Sequence, residues 1–205
     1  ATLRAGEFDG LALRLFALQF GANLPYRAYC EALGRTPSTV RRPLDIPAAP
    51  TAAFKEFELT CLPLDRRTVV FHSSGTTEQR PSRHFHDDRS LGVYEASLAP
   101  WFARHLLDLA PNESLFFLSL TPRHSEVPHS SLVYMLESVR RRFWPREFLF
   151  AGRVHSGEWQ IDVGSIVDAL GQTVGKGTPV MIAGTAFNFV HLLDALKAEI
   201  GRAHV

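Results

Sequence analysis

From residue 115 onward, short apolar runs alternate with amphipathic ones, and this alternation constrains the fold more than any other feature of the chain. Leu115–Leu120, Phe148–Ala151 and Val180–Ala183 read as buried strands, with Trp159–Ile161 a further short one. Between them Leu132, Leu136, Val139 and Phe143 recur at helical spacing, behind Ser130 or Ser131 as a cap. Val163, Ile166, Val167, Leu170 and Val174 mark another helix, ended by Gly175 and Gly177, and Val190, Leu193, Leu196 and Ile200 mark a last one. A strand that is followed by a helix returns parallel to its predecessor, so the expected class is α/β, a mainly parallel sheet with covering helices.

The first part of the chain has another texture. Phe8, Leu11, Ala12, Leu15 and Phe16 predict a helix over 8–20, stopped near Gly21 and Asn23 with Pro25 following. A second helix is predicted over Tyr26–Leu33, ending at Gly34. Pro37, Pro43, Pro47 and Pro50 then hold residues 36–52 extended. Residues 1–60 are expected as a helical N-terminal strap and 61–205 as the α/β core. Within that core Thr68–Phe71 reads as a strand, and 91–106 as a helix with Leu91, Tyr94, Leu98, Trp101 and Phe102 on one side, kinked or broken at Pro100.

Charge narrows the function classes. The 205 residues carry 22 Lys and Arg against 21 Asp and Glu, a net charge of +1, so no basic field draws the chain to nucleic acid. No apolar run is long enough to span a membrane. Two cysteines, Cys30 and Cys61, do not make a disulfide framework, and a cytoplasmic location is expected.

The segment richest in chemistry is Val70-Phe71-His72-Ser73-Ser74-Gly75-Thr76-Thr77-Glu78-Gln79-Arg80-Pro81-Ser82. A strand leads into small and hydroxyl residues, whose backbone N–H groups and side chains suit an anion. Arg80 or Arg83 adds a bidentate cation. The alternative is a Ser/Thr-rich turn joining two strands.

Ser73-Ser74-Gly75-Thr76-Thr77 resembles the phosphate loop of adenylate-forming enzymes. With Phe8–Phe20, Asn23, Tyr26, Cys30, Ile46-Pro47, Phe54-Lys55 and Gly184-Thr185-Ala186-Phe187, the chain resembles the acyl-protein synthetase (LuxE-type) family, relatives of the phenylacetate–CoA ligases. The resemblance implies an ATP- and Mg²⁺-dependent ligase that converts a long-chain fatty acid, or another carboxylate, to acyl-AMP. The acyl group then passes to a protein thiol and on to a partner reductase. It implies that Ser73, Ser74, Gly75, Thr76 and Thr77 cradle the ATP phosphates. It also implies that Gly184, Thr185, Phe187, Asn188, His191 and His129 line an acyl or adenylate pocket. Glu78 and Ser82 stand where the usual loop has Gly and Lys, and Arg80 or Arg83 is expected to supply the missing cation. The adenine segment, the aromatic-Gly-x-Ser/Thr-Glu motif, the ribose-binding Asp and the lid Lys do not occur, so an N-terminal part of a longer enzyme is expected. Alternatives are an acyl- or aryl-CoA ligase and a non-catalytic nucleotide- or acyl-binding module.

Other motifs read more plainly. The 184–189 segment is alternatively a helix start with Phe187 and Phe189 in the core. His129-Ser130 lacks a Gly-x-Ser-x-Gly elbow, so a loop bordering the cleft is expected, with His124 or His129 near the carboxylate. His84-Phe85-His86 places two histidines on one strand face, too few ligands for zinc. Arg140-Arg141-Arg142 is expected to be a solvated helix end.

Overall fold

The computed structural model describes residues 5–73, 80–107, 115–144 and 147–203. The chain divides into two compact units, Ala1–Leu91 and Gly92–Val205. The division falls beyond the one expected near residue 60, because the hairpin that follows groups with the N-terminal helices.

In the first unit, helix α1 (Ala5–Ala22) and helix α2 (Leu24–Ala32) meet at Asn23. Asn23 does two jobs. Its N–H bonds the Gln19 carbonyl at 2.8 Å, and its side chain caps α2 by accepting from the Tyr26 N–H at 3.3 Å. Pro25 therefore sits in the first turn of α2, where its missing N–H costs nothing. Gly34, at φ +65°, ends that helix in the left-handed region. Only part of the α1 face that the spacing picks out turns inward. Phe16 is buried, Leu13 and Phe20 pack beside it with Tyr26, Cys30 and Val40, and Phe8 and Leu15 are exposed. A short helix α3 (Ala53–Glu56) precedes strands β1 (Val69–His72) and β2 (Arg83–His86), which pair antiparallel from Val69↔His86 to His72↔Arg83.

Helix α4 (Asp88–Leu106) runs through Pro100 without ending. The second unit is then a three-layer sandwich. Strands β3 (Phe116–Ser119), β4 (Phe148–Phe150) and β7 (Val180–Ala183) form a parallel sheet in the order β4-β3-β7. Helix α5 (Ser131–Phe143) connects β3 to β4, and helix α6 (Val163–Lys176) leads into β7, followed by helix α7 (Ala186–Ala203). The pleat sorts the strand residues between two cores. Phe117, Phe150 and Met181 pack with Phe102 of α4 and Leu136 and Val139 of α5. Leu118, Leu149 and Ile182 pack with Ile166 of α6 and Leu192 of α7. The mixed α/β class thus holds, with a parallel sheet of three strands in the second unit and one antiparallel hairpin in each unit.

The second hairpin pairs β5 (Gly152–His155) with β6 (Glu158–Ile161). Its turn is Ser156-Gly157, both at positive φ, the two-residue turn whose twist matches the strands it joins. The cap expected for α5 is Ser130, which accepts from the Val133 N–H at 3.3 Å. The arginine run departs from expectation. Arg140 is half-buried, its guanidinium 4.4 Å from the Phe148 ring centroid and 2.6 Å from the Glu137 carboxylate, so only Arg141 and Arg142 form a solvated end. Trp101 is likewise exposed, stacked on His105 rather than packed with Phe102.

Candidate functional site

The β1–β2 hairpin brings together the ends of the segment expected to bind an anion. Ser73 and Ser82 close its mouth with two hydrogen bonds: the Ser73 N–H donates to the Ser82 carbonyl at 3.2 Å, and the Ser82 N–H donates to Ser73 Oγ at 3.0 Å. Ser74, Gly75, Thr76 and Thr77, with Glu78 and Gln79, lie outside the described residues. Ser82 is buried, and its Oγ is 3.0 Å from His84 Nε2. A lysine at this position would have to bury its ammonium, which explains a small hydroxyl residue here.

The two arginines expected to serve the loop are both engaged. Arg80 reaches Glu56 at 3.0 Å and Arg83 reaches Glu58 at 3.0 Å, while Arg67 holds the other oxygen of Glu58 at 2.6 Å. All of these carboxylates are substantially exposed, so each pair is worth little on its own and can exchange for another anion. The hairpin is anchored from the other side as well. Asp87 accepts from the Ser90 N–H at 2.8 Å and pairs with Arg66, and these interactions, the Ser90 bond first, hold its carboxyl below the usual range. His84 stacks on Phe54 and His86 tilts against Phe71. Among the described residues no three His, Cys, Asp or Glu side chains converge as metal ligands.

The carboxyl edge of the parallel sheet is the second place where candidate residues gather. The chain leaves β3 toward the face covered by α5 and leaves the adjacent β7 toward the face covered by α7. In open α/β sheets the crevice between such strands is where ligands bind. The loop after β7 is a capping box: Asn188 Oδ1 accepts from the Thr185 N–H at 3.0 Å and from Thr185 Oγ1 at 2.7 Å, and Thr185 Oγ1 accepts from the Asn188 N–H at 3.2 Å. Asn188 is buried in that role. Phe187 and His191 are exposed, against the core reading of Phe187, and His129 is exposed in the turn before Ser130. Gly184 lets this loop approach β3, since a Cβ there would meet Leu120 Cβ at 2.9 Å. Gly152 does the same on the other flank, where a Cβ would lie 2.2 Å from the Thr121 carbonyl carbon. The strand-end hydroxyls also satisfy one another, with Ser119 Oγ and Thr121 Oγ1 2.9 Å apart.

Two features escape sequence reasoning. The first is the environment of Glu95. One of its oxygens takes hydrogen bonds from Tyr134 Oη at 2.7 Å, Ser138 Oγ at 3.1 Å and Arg141 at 3.0 Å. His124 packs edge-on against the Tyr134 ring, its Nδ1 buried without a partner among the described residues, and burial lowers its pKa. The second is a cavity of about 570 Å³ in the first unit, walled by residues of α1, α2, the 46–62 segment and β2. Asn23, Tyr26, Ile46, Pro47 and Phe54, which carry part of the family resemblance, all line it.

The hairpin residues fall in the first unit and the strand-end residues in the second. No protein-family model matches the chain, and no curated protein matches it.

Proposed function

We propose that the chain takes part in ATP-dependent activation of a fatty acid or related carboxylate as acyl-AMP, in the manner of an acyl-protein synthetase, with a protein thiol as the eventual acceptor. The observation that carries this reading is the Ser-Ser-Gly-Thr-Thr segment at 73–77, entered from β1 and held at its mouth by Ser73 and Ser82. Backbone N–H groups and hydroxyls in such a segment offer many donors to phosphate oxygens. Arg80 and Arg83 flank it and can trade Glu56 and Glu58 for phosphate. Mg²⁺ fits as a companion of the nucleotide, because it takes most of its ligands from phosphates and water.

MgATP titration by calorimetry tests the reading. Thr76→Ala removes one hydroxyl contact to a charged phosphate, worth about 1.5–3 kcal/mol, so binding should weaken by roughly 10- to 100-fold. Equal affinity in the two proteins, or no binding by either, overturns it. Fatty-acid-dependent ATP–pyrophosphate exchange is the corresponding readout of turnover.

A second reading, nucleotide or acyl binding without turnover, is favoured by one observation. The cations flanking the loop are already neutralised by Glu56 and Glu58. Under that reading MgATP binds and exchange is absent.

A further inference from the structure

The cavity in the first unit has the size and chemistry of a small-molecule site. Its volume, about 570 Å³, lies within the range of about 300–1,000 Å³ typical of such sites. Its walls are mainly apolar: Ile46, Pro47, Phe54, Leu59, Leu62 and Phe85. A methylene occupies about as much space as a water in the liquid, about 30 Å³, so a chain of about twelve carbons takes about 360 Å³ and fits with room to spare.

One wall supplies a directed hydrogen-bonding group. Ser90 Oγ donates to the Asp87 carbonyl at 3.0 Å, accepts from the Asp87 N–H at 3.0 Å and lies 3.2 Å from His86 Nδ1. The tautomer with its proton on Nδ1 fits this arrangement and leaves Nε2 as the acceptor. Tyr26, by contrast, spends its hydroxyl on the Pro47 carbonyl at 2.6 Å and offers the cavity only its ring.

We propose that this cavity receives the aliphatic chain of a fatty acid, with the carboxyl group sharing one proton with His86 Nε2. Apolar walls select the chain, and the carboxylate, ionised in neutral solution, takes up the shared proton from solvent on binding. The choice of a fatty acid over another aliphatic molecule rests on the activation reading above. The location is new: it moves the acyl group from the strand-end residues Phe187, Asn188 and His191 to the helical unit that also bears the phosphate-loop hairpin.

Cys61 offers a local readout, because it lines the cavity and is half-exposed, whereas Cys30, the second of the two cysteines, is fully buried. The test is alkylation of the 205-residue chain by N-ethylmaleimide, followed by peptide mass spectrometry, with and without dodecanoic acid. Saturating dodecanoic acid should slow Cys61 labelling at least tenfold. Across octanoic, decanoic and dodecanoic acids, the affinity read from protection should rise by about fourfold per methylene. His86→Phe should weaken protection about tenfold, and Ala49→Trp, which fills the cavity, should abolish it, with circular dichroism reporting that both variants fold. Cys61 labelling that dodecanoic acid leaves unchanged overturns the proposal, as does protection with no dependence on chain length. Neither outcome depends on ATP. Protection at Cys61 with no MgATP binding would leave the cavity standing and sink the ligase. MgATP binding with no protection would do the reverse.

Discussion

The two units handle their polar groups in opposite ways. At the carboxyl edge of the parallel sheet, Thr185 closes on Asn188 and Ser119 on Thr121, and two glycines press the loops onto β3. Polar atoms there are used up in building the edge. In the helix-and-hairpin unit, the polar groups are arranged around openings. Arg80 and Arg83 rest on exchangeable carboxylates, and His86 keeps one nitrogen free among the described residues beside an apolar cavity. A strand-end position is therefore not enough to mark a site. What matters is whether the donors and acceptors found there are already spent on one another.

The sharpest way to break this contrast is at the glycines. Gly152→Ala would put a methyl 2.2 Å from backbone that cannot rotate away, and should cost about 3 kcal/mol or more. Gly184→Ala meets Leu120 Cβ at 2.9 Å, an atom fixed to the backbone but needing a shift of only a few tenths of an ångström, and should cost about 1–2 kcal/mol. Denaturant unfolding followed by tryptophan fluorescence checks both. Trp101, Trp144 and Trp159 all lie in the second unit, so the signal reports the half that the substitutions strike. Equal costs would mean that the edge is looser than its geometry.

Acid should weaken both units. Burial lowers the pKa of His86 in the first and of His124 in the second. For His86 its neighbour His84 adds to the effect and Asp87 opposes it; for His124 Glu137 opposes and Arg141 adds. A histidine with a depressed folded pKa binds its proton more readily in the unfolded chain. Stability is therefore full above the ordinary histidine pKa of about 6.5 and falls as pH drops below it, by at most about 1.4 kcal/mol per pH unit for each group. Thermal midpoints measured from pH 7.5 to 5 should decline. A rise would mean that both imidazoles are stabilised as cations.

Asn188→Ala separates cap from ligand. Loss of the capping box should cost about 1 kcal/mol of stability and leave dodecanoic acid and MgATP binding unchanged. Weaker binding at unchanged stability would return Asn188 to the site. The smallest effect is expected at Glu56→Gln: less than about 1 kcal/mol in stability, since the pair is exposed, with MgATP affinity raised a few-fold as Arg80 is released. Unchanged MgATP affinity would show that Arg80 does not serve the nucleotide.

Much of the second unit could be read from sequence because its strands are buried on both faces and bounded by caps. Leu115–Leu120, Phe148–Ala151 and Val180–Ala183 became β3, β4 and β7 with only end residues changed, and Ser130 and Gly177 stand at the helix ends as expected. Strand β5 was missed because Gly152-Arg153-Val154-His155 forms an exposed hairpin with little apolar pattern; Ser156-Gly157 was the available signal. Helix faces were misassigned where apolar residues run most of the way round. On α7 the inward residues are Asn188, Phe189, Leu192 and Leu196, of which the helical spacing picks out only Leu196, whereas Phe187, Val190 and Leu193 are exposed. The Ser-Ser-Gly-Thr-Thr segment stands out in the sequence by composition, and all of it but Ser73 lies outside the described residues. The cavity has no such signal, because residues scattered from Gln19 to Ser90 have no common spacing, and only folding collects them.

The closed mouth of the first hairpin has a consequence for how its loop can vary. Ser73 and Ser82 fix the two ends of the intervening segment at hydrogen-bonding distance, directly above the paired strands Val69–His72 and Arg83–His86. The entropy of closing such a segment grows only with the logarithm of its length, about 0.6 kcal/mol for each doubling. A change in the number of residues between them is therefore expected to cost little in closure entropy.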